Sequence, residues 1–71
     1  MKKIIINTDT IELDQFLKWA NLASTGGEAK SMIKKGNVMV NGEIEKRRST
    51  TLSAKDIIKV ADEKYQIIVN G

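Results

Sequence analysis

The chain contains no cysteine, no histidine and no proline, and only three of its 71 residues are aromatic. Without cysteine there is no disulfide and no thiolate metal centre to staple a small core. Without histidine the commonest metal ligand and the commonest general base are both missing. Carboxylates or lysine could still do chemistry, but their spacing suggests none, so no catalytic residue, metal or cofactor is expected. Long hydrophobic runs are missing too: none is longer than residues 4–6 or 67–69, which fall far short of a bilayer span. Met1-Lys2-Lys3 followed by three isoleucines opens like a signal peptide, yet Asn7 ends the apolar stretch before the roughly seven residues such a segment needs. A cytoplasmic, monomeric protein without a membrane partner is therefore expected. Its length suits a single domain spanning residues 1–71, one that buries only about 60% of its unfolded surface.

What remains is ordinary for a soluble globular chain, with 41% hydrophobic and 30% charged residues. The net charge of +3 is modest, but its placement is not even. Residues 1–29 carry a net of −1, residues 49–71 a net of 0 and residues 30–48 a net of +4. The whole excess lies in one stretch, through Lys30, Lys34, Lys35, Lys46, Arg47 and Arg48. Such a concentration is the footprint of an anion-binding surface.

No internal repeat, low-complexity tract or linker interrupts the chain. Residues 3–6 read as a short β-branched strand ended by Asn7-Thr8-Asp9. A first helix is predicted over residues 11–21, because Leu13, Phe16, Leu17 and Ala20 make one apolar stripe. Thr10 is the predicted N-cap, with Glu12 and Asp14 at the positive end of the helix dipole. Trp19 lies beside the stripe and is expected to close the edge of the core, base stacking being the alternative.

Thr25-Gly26-Gly27-Glu28 reads as a capping box opening a second helix over residues 25–36, with Gly36 as its C′ residue. Ala29, Met32 and Ile33 fall on one side of it, and Gly27, Lys30, Ser31 and Lys34 on the other. Val38-Met39-Val40 then meets Asn41-Gly42, the strongest short hairpin signal, because a type I′ turn needs two positive φ angles. Glu43-Ile44-Glu45 returns and Lys46-Arg47-Arg48 follows. If that triplet is extended, its two arginines point to opposite faces and one of them misses the ligand. A polar stretch, residues 49–51, precedes strands at 57–60 and 65–69, with a turn at Asp62-Glu63-Lys64. Tyr65 is expected to pack on a neighbouring strand, Met32 in the core and Met39 on the sheet surface. The order is β-α-α-β-β-β-β, an α+β class with two helices on a small, mostly antiparallel sheet.

The segments Leu13-Asp14-Gln15-Phe16-Leu17-Lys18-Trp19, Glu28-Ala29-Lys30, Gly36-x-Val38-x-Val40-Asn41-Gly42 and Ala54-Lys55-Asp56-Ile57-Ile58 resemble the S-four RNA-binding domain. This family is named after small-subunit ribosomal protein four and is also known as the αL motif. The resemblance covers about residues 11–60, with terminal strands added on either side. It implies a non-catalytic protein that binds structured RNA, ribosomal RNA foremost, as the small stand-alone bacterial members do. It places the RNA surface on the second helix, the loop before it and the hairpin. The candidate contacts are Lys18, Thr25, Gly26, Gly27, Lys30, Ser31, Lys34, Lys35, Asn41, Lys46, Arg47 and Arg48. Many members carry cations near the positions of Gly26 and Ser31; here backbone amides at the two glycines and the triplet 46–48 would stand in.

Two rivals compete with that reading. A winged helix-turn-helix would share two short helices and a hairpin, but the second helix has no Asn, Gln or Arg to read bases. A protein-docking module is the other, hinted at by Glu43 and Glu45, whose charge beside the basic triplet would repel phosphate.

Overall fold

The computed structural model describes residues 1–70. Nine elements follow in order: β1 (Lys2–Ile6), β2 (Thr10–Glu12), α1 (Leu13–Trp19), α2 (Gly26–Lys34), β3 (Val38–Val40), β4 (Glu43–Ile44), β5 (Thr51–Ser53), β6 (Ile57–Val60) and β7 (Glu63–Val69). Five strands form one sheet in the order β1-β7-β6-β3-β4, and β2 pairs with β5 in a second, two-stranded sheet. Every pairing is antiparallel except β1 with β7. The α+β class with two helices and a mostly antiparallel sheet is as the sequence implies.

One face of the larger sheet carries the core. Ile6, Val38, Ile58 and Ile67 point inward to meet Phe16 and Leu17 of α1 and Ile33 of α2, all fully buried. The alternation along each strand leaves Lys3, Ile5, Met39, Lys59 and Ile68 on the opposite, open face. Tyr65 is buried in β7 and Met39 lies on the open face, as expected, whereas Met32 is only half-buried and packs against the core from its rim.

Several boundaries differ from the sequence reading, each for a physical reason. Helix α1 starts two residues late, and Thr10 is not its cap: Thr10 pairs with Ser53 in β2. Glu12 holds the N-cap position without a side-chain bond. The amides of Leu13 and Asp14 instead donate to the carbonyls of Thr50 (2.9 Å) and Arg48 (3.0 Å), so a distant loop does what a capping side chain would. The polar stretch 49–51 runs into strand β5, whose one apolar residue, Leu52, is fully buried. The last hairpin turns at Ala61-Asp62, with φ of 51° and 68°, and Glu63 already belongs to β7.

Trp19 is also placed differently. It is 54% exposed, and its indole N–H donates to the Ile5 carbonyl at 2.7 Å. It fastens α1 to the edge strand β1 and covers little of the core. Both helices end alike. In α1 the amides of Asn21 and Leu22 reach the Lys18 and Leu17 carbonyls. In α2 those of Gly36 and Asn37 reach Ile33 and Met32. Each has a positive φ at C′, 64° at Asn21 and 77° at Gly36, which is the Schellman pattern.

Candidate nucleic-acid interface

Helix α2 opens as its sequence predicts. Thr25 is in an extended conformation and its Oγ1 accepts from the Glu28 amide at 3.1 Å. Only this half of the capping box is present among the described residues, and the Glu28 carboxylate stays exposed in the first turn. Gly26 and Gly27 follow with no internal need to be glycine. A Cβ on Gly26 would meet nothing within 4 Å, and one on Gly27 would meet only Thr25 Oγ1 at 3.8 Å. Neither has a positive φ. Close packing on a neighbouring strand, one explanation for the pair, is therefore ruled out. The first turn of α2 presents bare backbone to open space.

The basic side of α2 faces a loop. Lys30, Ile33 and Lys34 from the helix, with Lys46, Arg47, Arg48 and Ser49, line a cleft of about 470 Å³. Five cations thus share one concavity. The structure's single ion pair among the described residues joins Lys2 to Glu63 at 3.5 Å, elsewhere on the surface. Among the described residues no carboxylate lines the cleft, and none forms an ion pair with its five cations.

The loop owes its shape to short-range bonds. Glu45 N donates to the Val38 carbonyl (3.1 Å) and Thr50 N to the Arg47 carbonyl (3.3 Å). Gly36 adopts φ 77° at the end of α2, and a Cβ there would lie 3.7 Å from both Ile44 Cγ2 and Lys46 Cε, so the helix end and the loop are in near contact. Residues 46–48 belong to no strand. Because the segment curls instead of running straight, Arg47 and Arg48 both line the cleft, against the alternation that an extended segment would impose. Ser49 joins them; its place directly after the triplet was the one available signal.

Glu45 does not act as a free charge beside these cations. Its Oε2 accepts from the Lys46 amide at 3.1 Å and its Oε1 from the Thr50 hydroxyl. The Thr50 hydrogen bond is the main cause that holds its carboxyl below the usual glutamate range, helped by the Arg47 and Lys46 amides and the Arg47 charge, while partial burial opposes the shift. The hint that Glu43 and Glu45 gave of a protein-docking face loses one of its two residues to this loop.

The remaining candidates are spread out. Ser31 is half-buried on α2, and Lys35 is its exposed C-cap residue. Lys18 is exposed in the last turn of α1. Asn41 is elsewhere and already engaged. Its φ of 51°, with 88° at Gly42, fits the predicted turn. Its side chain accepts from Ile57 N (2.9 Å) and donates to Asp56 (3.2 Å), tying the β3–β4 turn to the start of β6. It borders a different cleft of about 350 Å³ with Met39, Gly42, Ile57, Lys59 and Lys64.

Comparison with known proteins bears on this arrangement. A family model described as the S4 domain matches residues 4–68. The chain belongs to the S4 domain family. The match extends past residues 11–60 at both ends and takes in most of β1 and β7, so these strands are part of the family pattern. RlbA of Bacillus subtilis (strain 168), described as a probable ribosome maturation protein, is 39% identical over 57 residues, covering 80% of each chain. The solution structure of YbcJ from E. coli, described as having an αL motif involved in RNA-binding, superposes with a TM-score of 0.71 at 26% identity, covering 96% of this chain and 87% of YbcJ. The crystal structure of 30S ribosomal protein S4e from Thermoplasma acidophilum superposes with a TM-score of 0.68 at 19% identity. That likeness covers 90% of this chain but only 34% of S4e, and it is a likeness of fold. No described helix is long and apolar enough to cross a membrane.

Proposed function

We propose that this chain is a non-catalytic protein that binds structured RNA, ribosomal RNA foremost, in the cleft between α2 and residues 46–49. The observation that carries the reading is the gathering of five cations in one concavity, none of them in an ion pair among the described residues. Arginine forks onto phosphate oxygens or stacks on an unpaired base, and the two lysines of α2 are spaced to follow a phosphodiester backbone. The open first turn of α2, with its free amides and its dipole, supplies a further anion site one turn from Lys30. Membership of the S4 domain family and the descriptions of YbcJ and RlbA point the same way. The RlbA relation further suggests a role in ribosome maturation, in the cytoplasm.

The test is a salt titration of binding to a structured ribosomal RNA fragment and to duplex DNA of equal length. Five neutralised phosphates give a slope of log K against log salt of about −3.5 to −4.5. Changing Arg47 and Arg48 together to Ala should weaken RNA binding about tenfold or more and flatten the slope by about 1.5. An unchanged affinity would remove the site assignment. Equal affinity for duplex DNA would remove the RNA preference.

A further inference from the structure

We infer that Glu45 is a positioning residue for the RNA cleft: its carboxylate fixes the loop that carries Lys46, Arg47 and Arg48, so a negative charge inside a basic cluster strengthens binding to an anion. The inference rests on the proposed RNA reading and adds an opposite sign to what charge alone would give.

The geometry consists of three linked tethers. One Glu45 oxygen takes the Lys46 amide and the other takes the Thr50 hydroxyl, so the carboxylate spans the loop from its first residue to its last. The Thr50 amide closes the loop from inside by donating to the Arg47 carbonyl. The loop is then fastened to the helical layer, because the carbonyls of Arg48 and Thr50 accept the first two amides of α1. Arg47 and Arg48 make no ion pair of their own among the described residues, so their direction is inherited from the backbone beneath them. A loop held in the bound conformation loses less freedom when the ligand arrives. The desolvation that one carboxylate would impose is already offset, since both its oxygens are hydrogen-bonded within the loop.

Three variants separate position from charge. Glu45→Ala removes the charge and both bonds. Glu45→Gln removes only the charge, because the amide oxygen can accept from Lys46 N–H while its NH2 donates to Thr50 Oγ1. Thr50→Val keeps the charge and removes one bond. If Glu45 acted only by repelling phosphate, the alanine and glutamine variants would bind more tightly by similar factors. Positioning gives a different order: Glu45→Ala weaker by about fivefold, Thr50→Val weaker by a smaller factor, and Glu45→Gln restoring wild-type affinity or better.

Affinity for the structured ribosomal RNA fragment should be measured below the melting temperature of every variant, so that loss of folded protein does not enter. In parallel, amide hydrogen exchange of the free proteins should be followed at Asp14, Lys46 and Thr50. The expected result is faster exchange at these amides in Glu45→Ala and Thr50→Val, near wild-type exchange in Glu45→Gln, and affinities in the same order. Equal or tighter RNA binding by Glu45→Ala, or unchanged exchange at the three amides, would overturn the inference. The exchange readout involves no RNA, so it fails or holds separately from the RNA reading, which the Arg47 and Arg48 double variant tests.

Discussion

Gly26 and Gly27 cost this protein helix stability and return no packing. Glycine in a helix is about 1 kcal/mol worse than alanine, less so in the first turn. Nothing in the chain needs the missing side chain at Gly26, where an added Cβ meets open space. A ligand that approaches the helix end closely does need it gone. Gly26→Ala should therefore raise the midpoint of thermal unfolding by a degree or more, corresponding to a few tenths of a kcal/mol, while weakening RNA binding severalfold. A variant that gains stability and binds RNA unchanged would show that the first turn of α2 is no part of the surface. The Thr25 cap, one half of the expected capping box, and the two glycines were legible in the sequence because a cap is a local affair, complete within four residues. Glu45 was not legible in that way. Its charge can be read from the sequence, but the Thr50 hydroxyl that takes up that charge is brought back to it by an irregular loop that no sequence pattern marks.

The same division between near and far partners holds for whole elements. The second helix and the Asn41-Gly42 hairpin lie where the sequence puts them, because Thr25, Gly36 and Asn-Gly each act on their own neighbours. The first helix starts at the first residue of its apolar stripe, not at residue 11 behind a Thr10 cap, because its first amides are satisfied by carbonyls of the 48–50 loop. Strands β2 and β5 are three residues each and carry little periodicity; they exist as a pair or not at all. The turn at Ala61-Asp62 is a different case. It places two non-glycine residues at positive φ, 51° and 68°, a conformation that costs L-residues about 1 kcal/mol each. No glycine or asparagine marks it, so the sequence reading put the turn at residues 62–64 and began the last strand two residues late. Replacing the pair by Asn-Gly should relieve that strain and stabilise the fold by about 1 kcal/mol in denaturant titration. Neither residue lines the cation cleft, so RNA affinity should change little.

At the scale of the molecule, the cation cleft and the open sheet face lie on opposite sides. Helix α2 and the 46–49 loop build the first, and the strands alone build the second. The charge distribution along the chain foretold that one region would be basic. It did not tell that Lys30 and Lys34 would face Arg47 and Arg48 across a gap, since that requires the hairpin to fold back beside α2. Strand β1 completes the sheet at its edge. Ile6 is buried in the core, and β1 supplies the carbonyl that Trp19 holds. Removing residues 1–6 should therefore abolish the single cooperative thermal transition followed by circular dichroism, or lower its midpoint by 10 °C or more, an effect of about 2 kcal/mol or above. Retention of wild-type melting would show that residues 7–71 are stable without it.

The parallel pairing of β1 with β7 has a consequence for biosynthesis. Lys2 lies beside Tyr65 and Ile6 beside Val69, so the first strand to be made waits for the last one. At 5–20 residues per second the interval between them is roughly 3–12 s. Throughout it Ile4, Ile5 and Ile6 stand in water as an unpaired, β-prone triplet, open to any other nascent strand. Lys2 and Lys3 directly precede that triplet. Charges placed directly before such a segment disfavour its joining the wrong sheet while β7 is still unmade.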